Sequence, residues 1–354
     1  MPTQFCLRSG LLALACALAG CYTSQPPTSI LPGRYSATTA LPFAGSRLTH
    51  LAVGVQDHLV IRFKPSAKVC TEPYGSPSFP LRSAWRKSGL IQPPGIVPIT
   101  ENGLGIDEAE VSNLEWKFFQ EQLSRSSPAV AASMQPLASA LPTTDYYTNP
   151  FYNRFPVVGI SYEQVVAFCK WRSKVVMQAY NSSPTAPDTL SANYIRFTYR
   201  LPTEAEWESA GLVERGQPFG TKCTDLPVEV NPKAATYLQL RSGTSKSAAQ
   251  VEEDIKTYNR SKPTRSWINY RQTEPYFLQM RTPGYVWQGP PNDLATYQLL
   301  GNAAELVQEP GLTKGGSYHD PLEACTLKAR GHYTGPAPTI GFRCVCQVSF
   351  PNRR

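Results

Sequence analysis

The stretch Tyr199-Arg200-Leu201-Pro202-Thr203-Glu204-Ala205-Glu206-Trp207-Glu208-Ser209-Ala210-Gly211 restricts this chain more than any other. The Thr203 hydroxyl can accept the free N–H of Glu206, and the Glu206 carboxylate can reach back to the N–H of Thr203, a reciprocal capping box. Pro202 suits an extended lead-in and cannot sit in the helix interior. Gly211 offers a left-handed residue to close the helix. The spacing predicts a very short helix fixed at both ends, with Trp207 as its buried apolar group. Ser112 with Glu115 and Ser161 with Gln164 have the same spacing. Leu114, Phe118, Phe119 and Leu123 follow the first pair; Val165, Phe168, Cys169, Val175 and Val176 follow the second. Both predicted helices thus carry a core-facing stripe.

Thirty-three prolines and twenty-four glycines in 354 residues predict one large, loop-rich domain. Residues 1–20 read as an export signal. Arg8 supplies the positive start, and the apolar run from Leu11 to Leu18 is too short to span a bilayer. The run ends in Leu18-Ala19-Gly20-Cys21, which resembles a bacterial lipobox and makes Cys21 the expected lipid acceptor. Tyr22 after it favours the outer membrane by resemblance to lipoprotein sorting rules. Residues 21–48 are rich in Ser, Thr and Pro and read as a flexible tether from the lipid anchor. Residues 49–104 read as an N-terminal strand, from the alternation over Leu51 to Phe63, followed by a Pro/Ser-rich loop from Pro65 to Pro98. Residues 105–350 are the expected folded domain. Arg125–Leu141 and Asn181–Asn193 read as an insert and a loop, and the polar stretch Arg241–Glu253 as a mobile surface insert.

The net charge of +8 suits anionic or acidic partners without naming one. There is no Lys/Arg run and no zinc-type cysteine spacing, so no nucleic-acid partner is expected. Of nine cysteines, Cys6 and Cys16 leave with the signal and Cys21 takes the lipid. Six remain, an even number that suggests disulfides in an exported chain, with fifteen pairings open.

Arg200-Leu201-Pro202-Thr203-Glu204-Ala205-Glu206-Trp207-Glu208 resembles the signature of the formylglycine-generating enzyme family, the sulfatase-modifying-factor domain. Four more segments agree in the family's order: Phe155-Pro156-Val157-Val158-Gly159-Ile160-Ser161-Tyr162, Gly301-Asn302-Ala303-Ala304-Glu305, Lys314-Gly315-Gly316-Ser317-Tyr318 and Ile340-Gly341-Phe342-Arg343-Cys344. The resemblance runs from about Gly105 to Cys346. It implies a compact α+β fold with short helices and strands and much irregular chain, related in shape to C-type lectin domains. It also implies a disulfide between Cys169 and Cys344. The segment around Phe155 to Ser173 is most similar to a lipoprotein branch tied to gliding motility and type IX secretion, of the GldJ and GldK type.

The family's oxidase chemistry uses two cysteines that hold copper(I). Counted from Gly315-Gly316-Ser317, these positions fall on Asp320 and Cys325. A carboxylate is a hard ligand and a poor replacement for thiolate on this soft ion. Two readings follow. Either Cys325 is a nucleophile or metal ligand with Asp320 as base, or Cys325 is a core thiol or half of a disulfide, with Cys346 as a candidate partner. The missing thiolate favours the second, and copper is not expected. The resemblance further implies a structural calcium ion on the Gln298 amide, the carbonyls of Gly301 and Ala303, and the Glu305 carboxylate, oxygen ligands that suit this hard cation. The expected function is a non-catalytic lipoprotein on the periplasmic face of the outer membrane, joined to protein partners in a motility or secretion assembly. The alternatives are an oxidase acting on exported peptides and a saccharide or cell-wall binding module.

Overall fold

The computed structural model describes residues 35–43, 60–63, 78–211, 226–289, 291–292 and 294–353. The expected export signal, Cys21, Cys70 and Cys223 lie outside them. In chain order the main elements are β1 (Ile61–Phe63), α1 (Ser78–Ser88), β2 (Ile96–Pro98), β3 (Leu104–Asp107), α2 (Asn113–Ser124), α3 (Pro128–Ser133), α4 (Tyr162–Asn181), β4 (Arg196–Arg200) and α5 (Glu204–Ser209). There follow β5 (Leu226–Val230), α6 (Ala235–Ser242), α7 (Ala248–Arg260), β6 (Thr264–Arg265), β7 (Ala304–Leu306), β8 (Leu312–Lys314), β9 (Gly331–His332), β10 (Ile340–Gly341) and β11 (Val345–Ser349). This is the expected mixture of short helices, short strands and irregular chain. No described helix is long and apolar enough to cross a membrane.

The central sheet has the order β2-β3-β11-β4 and is antiparallel throughout. Its last strand therefore lies between two much earlier ones, with Cys346 opposite Gly105 on one side and Tyr199 on the other. The outer edge of β4 is capped by α4. Ser173 Oγ accepts the Tyr199 N–H at 2.8 Å, and Met177 Sδ accepts that of Phe197 at 3.2 Å. Covering an edge in this way removes a row of unpaired backbone groups. Between α2, α4 and this sheet lies an aromatic core. Trp116 stacks on Phe168 at 5.6 Å between ring centres, and Phe342 meets Phe168 edge-on at 5.4 Å. The second sheet, β10-β7-β8-β9, positions the candidate site.

The third sheet, β1-β5-β6, is backed by α7, on which α6 packs. This corrects the expectation of a mobile insert over Arg241–Glu253. Ser247 and Gln250 form a full capping box, and Val251 and Ile255 are buried. That pattern is present in the sequence but stands among so many polar residues that the apolar stripe is thin. Helix α6 ends on Gly243 in the left-handed region, φ 61°. Two other expectations also change. Residues 78–88 form α1 inside the expected Pro/Ser-rich loop, with Trp85 buried and its indole N–H donating to the Thr100 carbonyl at 2.6 Å. Residues 35–43, inside the expected tether, are docked on the domain.

Candidate functional site

The site is built outward from α5. Its capping box forms as the spacing requires, with Glu206 N–H donating to Thr203 Oγ1 at 3.2 Å and Thr203 N–H to Glu206 Oε2 at 2.8 Å. The predicted left-handed closure does not: the helix ends on right-handed Ala210. Gly211 serves packing instead, since a Cβ there would stand 2.1 Å from Leu327 Cδ2. The acids of α5 grip the second sheet. Lys314, fully buried, bridges Glu204 at 3.0 Å and Glu208 at 2.9 Å. Arg330, and then Lys314, hold the Glu204 carboxyl down at about 2.

Trp207 reaches from α5 to the interior, where its indole N–H donates to Glu305 Oε2 at 2.7 Å. Arg343 grips the same carboxylate with Nε and Nη2, at 2.6 to 2.8 Å. Both residues of this pair are fully buried. Burial pushes the Glu305 carboxyl up and Arg343 opposes this. Beside it, Asn302 accepts from Asn269 and from the Gly284 N–H, each at 2.6 Å, and donates to Glu110 at 2.6 Å. Glu110 also accepts the Ala303 N–H at 3.0 Å. Sequence reasoning missed Glu110, Asn269 and Arg343 as members of this network, because their partners lie far away along the chain.

This arrangement tests the calcium expectation. Glu305 is the one charged ligand in the implied set, and a guanidinium and an indole N–H already engage its two oxygens. Gln298 sits at φ 50° with its amide N–H₂ donating to the Gln288 carbonyl at 3.0 Å. A neutralised carboxylate, one amide and the carbonyls of Gly301 and Ala303 fit Ca²⁺ poorly, because such sites draw strength from ligand charge.

The copper positions lie on the far side of the diglycine. Gly315 (φ 89°) and Gly316 (φ 68°) both need left-handed backbone. A Cβ on Gly315 would stand 3.1 Å from the Trp207 ring, and one on Gly316 would stand 2.8 Å from Cys325 Sγ. The turn therefore presses the α5 post and the Cys325 loop against one another. Cys325 is 1% exposed, and its thiol faces the Ser317 carbonyl at 3.8 Å. Burial, with Asp320 adding to it, pushes this thiol up to about 12. Asp320 accepts the Ser317 hydroxyl at 2.6 Å. Cys346 is fully buried in the central sheet, and both it and Cys325 are free thiols. One protonated thiol with a hydrogen-bonded carboxylate does not fit copper(I), which takes paired thiolates. Cys169 and Cys344 are also free here, with their sulfurs buried and 3.3 Å apart.

Among solved structures, the chain is similar to PvdO from Pseudomonas aeruginosa (16% identity, 69% of this chain and 80% of that one, TM-score 0.42). It is similar to Treponema denticola variable protein 1 at 18% identity, over 69% of this chain and 84% of that one, TM-score 0.36. It is also similar to CarF, with 18% identity, 68% and 85% coverage and TM-score 0.38. No curated protein matches. The model of the sulfatase-modifying factor enzyme 1-like domain matches residues 91–348, which take in α5, the diglycine, the Glu305–Arg343 pair and the Cys325 turn, and so the chain belongs to that family.

Proposed function

We propose that this chain is a non-catalytic member of its family, a lipoprotein whose domain serves as a scaffold or interaction component. The observation that carries this reading is Cys325, a buried thiol pushed up to about 12, with an acid where a second thiolate would be needed. A thiol of that kind is neither a good nucleophile nor a good metal ligand at neutral pH. The lipid sits on Cys21, and the domain works on the periplasmic face of the outer membrane with protein partners of a gliding-motility or type IX secretion assembly. In that oxidising compartment Cys169 and Cys344 close a disulfide, for which their sulfurs must approach from 3.3 Å to about 2.05 Å.

The test uses the full chain. Titration with copper(I), followed by incubation with a cysteine-containing peptide and oxygen, yields no stoichiometric binding and no peptide oxidation. Turnover at any rate dependent on Cys325 refutes the reading and returns the oxidase alternative. Mass spectrometry of the unreduced protein reports acylation at Cys21 and the Cys169–Cys344 bond together. Pull-down from solubilised outer membrane reads the assembly, and recovery of a lone monomer counts against the scaffold role.

A further inference from the structure

Residues 35–43 have the composition of a tether, yet Ser36, Thr38 and Thr39 are buried and Phe43 is 1% exposed. The segment forms a small turn of its own. Ala40 N–H donates to the Ser36 carbonyl at 2.8 Å and Ser36 N–H to that of Leu41 at 2.9 Å, with Ala40 at φ 54°. Its grip on the domain comes from three elements. Glu115, in the first turn of α2, accepts from the hydroxyls of Ser36 and Thr38 at 2.5 and 2.6 Å and from the Ala37 N–H at 2.8 Å. Arg172 of α4, fully buried, donates Nε to the Thr38 carbonyl at 2.7 Å while it also holds Asp107 and the Pro94 carbonyl. Phe43 meets Phe118 edge-on at 5.0 Å. Gly95 completes the seat, because a Cβ there would stand 2.7 Å from the Ala37 carbonyl oxygen.

These features have the makeup of a peptide-recognition site. A carboxylate reads two hydroxyls and a backbone N–H, a guanidinium reads a carbonyl, and an aromatic slot takes a ring. They are also costly to leave open, since a buried carboxylate stripped of its donors loses their charge-assisted hydrogen bonds. We propose that the face made by α2, α4 and the turn before β2 is a binding site for a hydroxyl-rich peptide turn of Ser-x-Thr type followed by an aromatic residue. Its occupant is the chain's own Tyr35–Phe43 segment, a latch held to the domain non-covalently. The site stands apart from the Cys325 turn and does not depend on whether the chain is an enzyme.

The test introduces a protease recognition sequence into residues 44–59 of the full chain. After cleavage, the N-terminal fragment co-elutes with the domain on gel filtration. Excess synthetic peptide spanning residues 35–43 displaces it, and the same peptide with Ser36→Ala and Thr38→Val needs at least tenfold more. Glu115→Gln in the cleavable chain releases the fragment, while hydrogen exchange of α4 stays as in the parent. Should that variant misfold, the peptide pair still decides. Immediate loss of the parent fragment on cleavage, or equal displacement by the two peptides, overturns the proposal.

Discussion

The two sides of the Gly315-Gly316 turn differ sharply in how their charges are satisfied. On the α5 side, Lys314 is shared by Glu204 and Glu208, and Glu305 is held by Arg343 and Trp207. On the other, Asp320 accepts a hydroxyl three residues away and Cys325 is a neutral thiol. The first side joins distant segments through partners that depend on one another. The second satisfies its own acid within a local turn, and beyond Cys325 it meets the α5 acids through Lys328 and Arg330. The difference teaches that one backbone turn can join a region closed by long-range buried ion pairs to a region whose polar side chains find their partners nearby in sequence.

The strongest way to break this comparison is Arg343→Met. It leaves Glu305 buried without its cation, and the expected loss is about 3–5 kcal/mol in denaturant unfolding. A loss below about 1 kcal/mol means that the pair is not the joint described here.

Glu108 sharpens the contrast, since it is a buried acid with one oxygen lacking a hydrogen-bond partner among the described residues. Burial, and then Asp107, raise it from 4.5 to about 8. Between those values the folded chain keeps a proton that the unfolded chain releases, so this group's contribution to stability is lost as pH rises through the interval. Glu108→Gln removes that loss. Its advantage over the parent grows on the order of 2–4 kcal/mol from pH 5 to pH 8, read from unfolding midpoints at the two pH values. A pH-independent difference means that Glu108 ionises normally.

Thr203→Ala removes the cap of α5 and costs about 1 kcal/mol, with Thr203→Ser restoring most of it. On the Asp320 and Cys325 side the effects are smallest. Asp320→Ala removes a half-exposed hydrogen bond and costs about 0.5–1 kcal/mol by thermal unfolding. Iodoacetamide leaves Cys325 unmodified in the native protein at pH 8, because a thiol pushed up to about 12 is almost wholly protonated there. Rapid native alkylation at this position returns Cys325 to the list of reactive groups.

Much of the α5 side was legible from residues alone. Thr203 with Glu206 and Ser161 with Gln164 form their boxes as read, because each asks only for a donor and an acceptor three residues apart. The Trp207 burial and the core stripes of α2 and α4 follow from the same short-range periodicity. What failed was reading function into composition. Ser, Thr and Pro in residues 35–43 described a tether, and only the partners they meet made them a docked turn.

Glu115 marks the boundary between the two kinds of information. The sequence set the Ser112 cap, whose hydroxyl accepts the Glu115 N–H at 3.4 Å. It did not set the destination of the Glu115 carboxylate, which turns from its own helix end to Ser36 and Thr38, seventy-nine and seventy-seven residues earlier. Hydrogen bonds closed within one helical turn depend on spacing alone, so the sequence by itself determined them. Those that join α2 to residues 35–43 or Arg343 to Glu305 depend on which distant donors and acceptors the packed core brings within reach, and only the tertiary structure decided them.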